Sequence, residues 1–264
     1  MANRVRPLLK HGVKRALNGI GFELRRVAEP DLLQAVLQRN SIDEAHMRGI
    51  LAALLTPTSR CVDGGAHRGA ITEWFVDFAP LGEHIAIEPI PQLAHELEQR
   101  FPSVDVHCVA LGEHAARATF TYVPEWPALS GFGGRECLLP SESVEVEVVA
   151  LDDVIGTRRI DFLKLDLEGH ELQALRGAAR TLEAFNPVVV FEHCRLGFDT
   201  DVRMFMGAPD YETTESIHAF LVGDLSYRIY DLDGNGPLAA DRFRQIYETA
   251  ERTNFLASPP RLRI

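Results

Sequence analysis

The 264-residue sequence predicts an α/β fold built on a doubly wound, Rossmann-like sheet. Short apolar runs ending in a carboxylate recur along the chain, and segments with helical spacing lie between them. The first run, Cys61-Val62-Asp63, leads into Gly64-Gly65-Ala66, which reads as strand, tight turn, helix.

Taken in order, residues 1–26 hold seven Lys/Arg against the single acid Glu23, a net +6 that leaves −17 on the rest. Val5, Leu8, Leu9, Val13, Leu17 and Ile20 recur there at intervals of three and four. Such a basic amphipathic segment suits a helix packed on its own domain or on a second subunit. It also suits peripheral contact with an anionic membrane. Residues 31–55, between Pro30 and Pro57, carry apolar residues at helical intervals and predict N-terminal helices able to cover a ligand pocket. The chain thus divides into an arm and helical extension, 1–56, and a sheet domain, 57–264.

In the sheet domain, strands are predicted over 60–63, 83–88 and 104–110, with helices over 72–78 and 91–100. Two further strands, 119–123 and 144–151, flank a Gly/Pro-rich stretch whose Ser130-Gly131-Phe132-Gly133-Gly134 can fold over a ligand. The run 160–166 reads as a buried parallel strand ending at Asp166, and Leu172, Leu175 and Ala178 mark the helix after it. A strand over 187–193 ends in Glu192-His193. A helix (211–222), a strand (227–232), a helix (243–250) and a last strand (254–257) complete the chain. The turn Asp233-Gly234-Asn235-Gly236 lacks the twelfth-position acid of a calcium loop. Ligands of such sheets lie beyond the strand carboxyl ends, so Asp63, Glu88, Asp166, Glu192 and His193 converge.

A net charge of −11 disfavours nucleic acid as a partner. Cys61, Cys108, Cys137 and Cys194 have no C-x-x-C spacing, which predicts buried reduced thiols and no zinc site. No apolar stretch reaches about 18 residues, so a soluble, cytoplasmic protein is expected.

The turn also narrows the ligand. Ala66 stands where the second glycine of G-x-G-x-x-G belongs, which argues against a nicotinamide oxidoreductase. Ala70-Ile71 stand where a phosphate loop needs Lys and Ser/Thr. An acid-led loop suits ammonium, sulfonium and hydroxyl groups instead, and S-adenosylmethionine carries all three. Glu88, 25 residues after Asp63, sits where a carboxylate can accept both ribose hydroxyls.

Val62-Asp63-Gly64-Gly65-Ala66-His67-Arg68-Gly69, Glu88-Pro89, Ala110-Leu111-Gly112 and, most specifically, Leu163-Lys164-Leu165-Asp166-Leu167-Glu168-Gly169-His170-Glu171 resemble the FkbM family of S-adenosylmethionine-dependent O-methyltransferases. The resemblance runs strongly over about residues 60–193. It implies a seven-stranded methyltransferase sheet whose last strand is antiparallel. It places the methionine end of the cofactor at Asp63, Gly64, Gly65 and Ala66, the ribose on Glu88, and Pro89, Ala110 and Leu111 around the rest. Gly65 and His67-Arg68 depart from the alanine and the asparagine-containing pair often seen in that loop.

The implied reaction moves a methyl group to a free hydroxyl on a small-molecule or glycan acceptor, such as a sugar of a glycolipid, polysaccharide or secondary metabolite. The alternative is a catalytically silent methyltransferase-like module that binds a glycolipid or partner enzyme. Positioning supplies roughly 7–11 kcal/mol of such a barrier and a general base about 10²–10⁴-fold. His193 is the expected base, and Asp166 would orient it, contact the acceptor or cap the following helix. Glu168 is expected to shape the Gly169 turn, and His170 to lie on the helix surface. Asp166, Glu168, Glu192 and His193 are alternatively ligands for Mg²⁺, which would lower the acceptor hydroxyl's pKa directly.

Overall fold

The computed structural model describes residues 30–125, 130–132, 140–198, 204–206 and 210–262. The basic segment 1–26, Gly133-Gly134 and Cys137 lie outside them. The chain opens with α1 (Pro30–Leu54) and enters the sheet at β1 (Cys61–Gly64). It continues through α2 (Ala70–Phe78), β2 (Ile85–Ile87), α3 (Pro91–Arg100) and β3 (Asp105–His107). A second, smaller sheet is made by β4 (Ala110–Gly112), β5 (Ala116–Tyr122), β6 (Gly131–Phe132) and β7 (Glu142–Ala150). After α4 (Leu151–Ile155) come β8 (Phe162–Leu165), α5 (Glu171–Arg176), α6 (Ala179–Phe185) and β9 (Val188–Glu192). The hairpin β10 (Leu196–Phe198) and β11 (Met204–Met206) precedes α7 (Tyr211–His218), which runs on into a π-turn. β12 (Arg228–Asp231), α8 (Ala240–Thr249) and β13 (Asn254–Ser258) end the described chain.

The main sheet has seven strands in the order β12-β13-β9-β8-β1-β2-β3. β13 runs antiparallel to both neighbours, pairing Phe255 with Phe191 of β9 and with Asp231 of β12. The chain winds outward from β1 to β3, then returns to β8 on the other side of β1. The topological switch therefore lies between β1 and β8, where doubly wound sheets open a ligand crevice. All four residues of β1 and of β8 are buried, as expected for central strands covered on both faces.

α2 buries Thr72 and Phe75, and α1 packs Met47 and Leu51 against Phe75, Phe162 and Val190. Phe75 and Leu51 are each fully buried, worth about 2–3 kcal/mol apiece. Arg39 fixes α1 to the turn after β12 by donating to both carboxylate oxygens of Asp233, at 2.9 and 2.8 Å. Among the residues of α1 whose side chains are described, none lines the cleft described below, which the N-terminal helices were expected to cover.

The predicted strand 104–110 is two strands. β3 stays in the main sheet, whereas Ala110 pairs with Val148 of β7 and starts the smaller one. Cys108, between them, is exposed rather than buried. The helix predicted after Asp166 also divides, at Gly177, where a Cβ would overlap the carbonyl oxygen of Gly112. No helix among the described residues is long and apolar enough to cross a membrane.

Candidate active site

β1 delivers Asp63 and Gly64 to the switch point, and the turn after it is held by backbone bonds. The N–H groups of Gly65 and Ala66 donate to Ile87 O at 2.9 and 3.0 Å, and His67 N donates to Glu88 Oε2 at 2.9 Å. Gly65 has φ +76°, and a Cβ there would overlap the carbonyl oxygen of Asp166, so only glycine fits. Asp63 is buried and accepts the Thr72 hydroxyl at 2.6 Å. It thereby anchors the first turn of α2. Burial raises its pKa, against the lowering effect of Thr72 and Lys164.

Between this turn and the smaller sheet lies a cleft of about 200 Å³. Among the predicted cofactor residues, Gly65, Glu88, Pro89, Ala110 and Leu111 line it. Asp63, Gly64 and Ala66 are buried and are not among its lining residues. Glu88 accepts His67 N on Oε2 and Ile90 N on Oε1, both at 2.9 Å, so each oxygen keeps a lone pair. Burial, with a contribution from Asp63, pushes Glu88 up to about 7 against the pull of those two N–H groups.

At the other wall Asp166 and Glu168 line the cleft, and Asp166 is 44% exposed into it. Lys164 lies beneath, buried, with Nζ 3.2 Å from Asp166 Oδ2. Burial opposes its charge, but Asp166, Glu192 and Asp63 together raise its pKa. Enclosure opposes ionisation of Asp166, yet Lys164 and a hydrogen bond from Glu192 hold it below the usual range. Burial and the Asp166 charge push Glu192 well above its own. Of the two, Glu192 is the carboxyl that holds a proton more readily. Asp166, Glu168 and Glu192 place carboxylate oxygens within 4.8 Å of one another, which is ligand spacing for a divalent ion.

The profile of the Methyltransferase FkbM domain matches residues 63–228, more than half of the chain. The chain belongs to the FkbM methyltransferase family. It is 26% identical over 183 residues to the AMB antimetabolite synthetase AmbE of Pseudomonas aeruginosa, a match covering 54% of this chain and 8% of that protein. It is 25% identical over 141 residues to Methyltransferase 1 of Beauveria bassiana, covering 44% of this chain and 57% of that one. The chain thus spans a small part of the first relative and just over half of the second. Among solved structures, a methyltransferase FkbM from Methylobacillus flagellatus is 19% identical, with a TM-score of 0.47 over 78% of this chain and 45% of that one.

One expected site residue of this FkbM protein lies away from the cleft. His193 was expected to be the base or a metal ligand, but it is not among the residues lining the cleft. Its ring stacks on Tyr247 and Phe243 of α8, at 4.5 and 5.6 Å, and its Nε2 is 2.8 Å from Thr214 Oγ1. The Thr214 hydroxyl donates to Asp210 O, so His193 Nε2–H must be the donor. Burial lowers the His193 pKa to about 4. Nor does Asp166 cap α5. Glu171 instead accepts Leu167 N and Gly169 N, the turn-shaping role expected of Glu168.

Phe132 belongs to the stretch expected to fold over a ligand, whereas Phe120 and His170 were not anticipated as ligand-facing from the sequence. Phe120 and Phe132 pair across β5 and β6 with ring centroids 5.2 Å apart, and Phe132 lies 4.6 Å from His170. All three line the cleft. His170, expected on the helix surface, faces the ligand side instead. The spacing of Phe120 and Phe132 gives no local signal, because a strand pairing brings them together.

Proposed function

We propose that this FkbM methyltransferase uses S-adenosylmethionine to methylate a free hydroxyl on a small-molecule or glycan acceptor, such as a sugar of a glycolipid, polysaccharide or secondary metabolite. The observation that carries the reading is Glu88. It is a buried carboxylate lining a cleft, positioned by two backbone donors, with a lone pair left on each oxygen for a ribose diol.

The donor set fits the cofactor. Ile90, Val109, Ala110 and Leu111 offer the apolar surface a purine needs, and among the described residues the lining carries carboxylates but no lysine or arginine, Lys164 lying beneath Asp166. When bound, S-adenosylmethionine supplies an electrophilic methyl group on a positively charged sulfur. Asp166, ionised and open to the cleft, is placed to favour that charge and to accept a hydrogen bond from the acceptor hydroxyl. Closing acceptor and donor together excludes water, and alignment supplies most of the barrier reduction. The reading needs no divalent ion, because Lys164 already lies against Asp166.

Calorimetric titration with S-adenosylmethionine and S-adenosylhomocysteine tests the cofactor. Micromolar binding of both is expected, and absence of both overturns the reading. A mass screen of sugars and polyols for added methyl groups then tests the acceptor class, and methylation only at nitrogen or carbon would refute O-transfer.

A further inference from the structure

Phe120, Phe132 and His170 form a continuous aromatic wall on one side of the cleft, although they come from two strands of the smaller sheet and from the loop after Asp166. Phe120 and Phe132 belong to the apolar cluster that contains Ile90 and Ala110. The wall is therefore continuous with the Glu88 end of the cleft. Burial lowers the His170 pKa, so its ring is neutral at neutral pH.

One polar group belongs to this end. Ser130 is buried, lines the cleft and accepts Val123 N on its hydroxyl oxygen at 3.0 Å. Among the described residues its hydroxyl proton has no acceptor. A flat ligand with ring nitrogens meets both requirements, a π-face for the wall and an acceptor for Ser130. A ligand whose diol rests on Glu88 can point only one end toward this wall. Asp166 and Glu168 line the cleft as well and supply the carboxylates that suit the sulfonium.

We infer that Phe132, backed by Phe120 and edged by His170, is the stacking surface for the purine of the cofactor, and that Ser130 donates to a purine nitrogen. Phe132 is a cofactor-positioning residue under this assignment. The inference rests on the S-adenosylmethionine reading above. It adds a purine seat taken from the β5–β6 hairpin to the strand-end residues that the sequence motifs mark.

The test is calorimetry on the full chain with S-adenosylhomocysteine and with adenosine, which lacks the amino-acid end. Phe132→Leu should weaken both ligands by about tenfold or more, in parallel, because base–aromatic stacking is worth that much. Phe132→Tyr and Phe132→Trp should restore affinity to within about threefold. Melting temperatures guard against misfolding, and Ser130→Ala, expected to weaken both ligands by about fivefold, reads the same seat without touching the wall. If the wild type binds neither ligand, the cofactor reading itself fails. If the wild type binds S-adenosylhomocysteine but Phe132→Leu and Ser130→Ala leave both affinities unchanged, the purine seat is elsewhere and this assignment is overturned. Loss of S-adenosylhomocysteine affinity with adenosine unaffected would place Phe132 at the amino-acid end and overturn it equally.

Discussion

Gly65 and Asp166 meet across the switch point so closely that a Cβ on Gly65 would overlap the carbonyl oxygen of Asp166. The contact joins the glycine turn to the strand-end acid, and both residues line the cleft. Gly65→Ala faces both that backbone overlap and a left-handed φ of +76°. It should lower stability by about 2–3 kcal/mol and weaken S-adenosylhomocysteine binding by at least tenfold. Gly64→Ala meets mainly the Leu165 and Leu111 side chains, at 2.9 and 3.1 Å, and should cost less. Thermal melts of the two variants decide the order; equal melting points would mean that the turn relaxes freely.

Glu88 links cofactor binding to pH. Its carboxyl sits at about 7, raised first by burial and further by Asp63, while Ile90 N and His67 N favour the charged form. Ribose hydroxyls are best accepted by the ionised group. Affinity for S-adenosylhomocysteine should therefore fall about tenfold between pH 8 and pH 6, as Glu88 takes up a proton. Glu88→Gln should bind weakly with a flat pH profile. A wild-type profile equally flat would remove Glu88 from the ribose site.

Much of this site was legible in the sequence because it is local. The glycine turn after Asp63, Glu88 one βαβ unit later and Asp166 at a third strand end are fixed by strand-turn-helix spacing, and the structure brings all three to the switch point. What failed was facing. Sequence spacing placed Glu192 and His193 at the end of one strand, but successive side chains point to opposite faces. Glu192 joins Asp166, and His193 turns into the α7–α8 layer. The aromatic wall was illegible for a different reason, since it depends on the nonlocal pairing of Phe120 with Phe132.

Glu171 should make the fold less stable as pH rises. It is 2% exposed, and burial raises its pKa from 4.5 to about 7 although Leu167 N and Gly169 N favour its ionised form. A carboxyl raised on folding stabilises the protein below pH 4.5 and loses that contribution as pH climbs toward 7. At about 1.4 kcal/mol per pH unit the loss is about 3 kcal/mol. Glu171→Gln keeps an oxygen for both N–H groups without the buried charge. Its denaturation midpoint should match or exceed that of the wild type at pH 8, and a clear loss there would contradict the assignment.

His193 is predicted to matter for stability rather than turnover. Removing its ring from between Tyr247, Phe243 and Thr214 by His193→Ala should cost about 2–4 kcal/mol. Because its pKa drops from 6.5 to about 4 on folding, protonation also withdraws stability as pH falls through that window. Turnover per folded molecule and S-adenosylhomocysteine affinity should stay within about threefold of wild type. A turnover loss of two orders with an unchanged melting point would restore His193 as the base.

The carboxylate trio sets the last test. Asp166, Glu168 and Glu192 have the spacing of a divalent site, but Lys164 Nζ already lies 3.2 Å from Asp166, and burial with the Asp166 charge disfavours ionisation of Glu192. With a resident ammonium against Asp166 and Glu192 reluctant to ionise, the cluster is poorly charged for holding a divalent cation against water. Turnover should therefore survive EDTA unchanged. Lys164→Met removes the balancing charge, and it should lower the melting point while making the protein bind Mn²⁺ more tightly than the wild type does. A wild-type enzyme silenced by EDTA and revived by Mg²⁺ would assign the trio to a metal and would recast Lys164 as a neighbour that the ion displaces from Asp166.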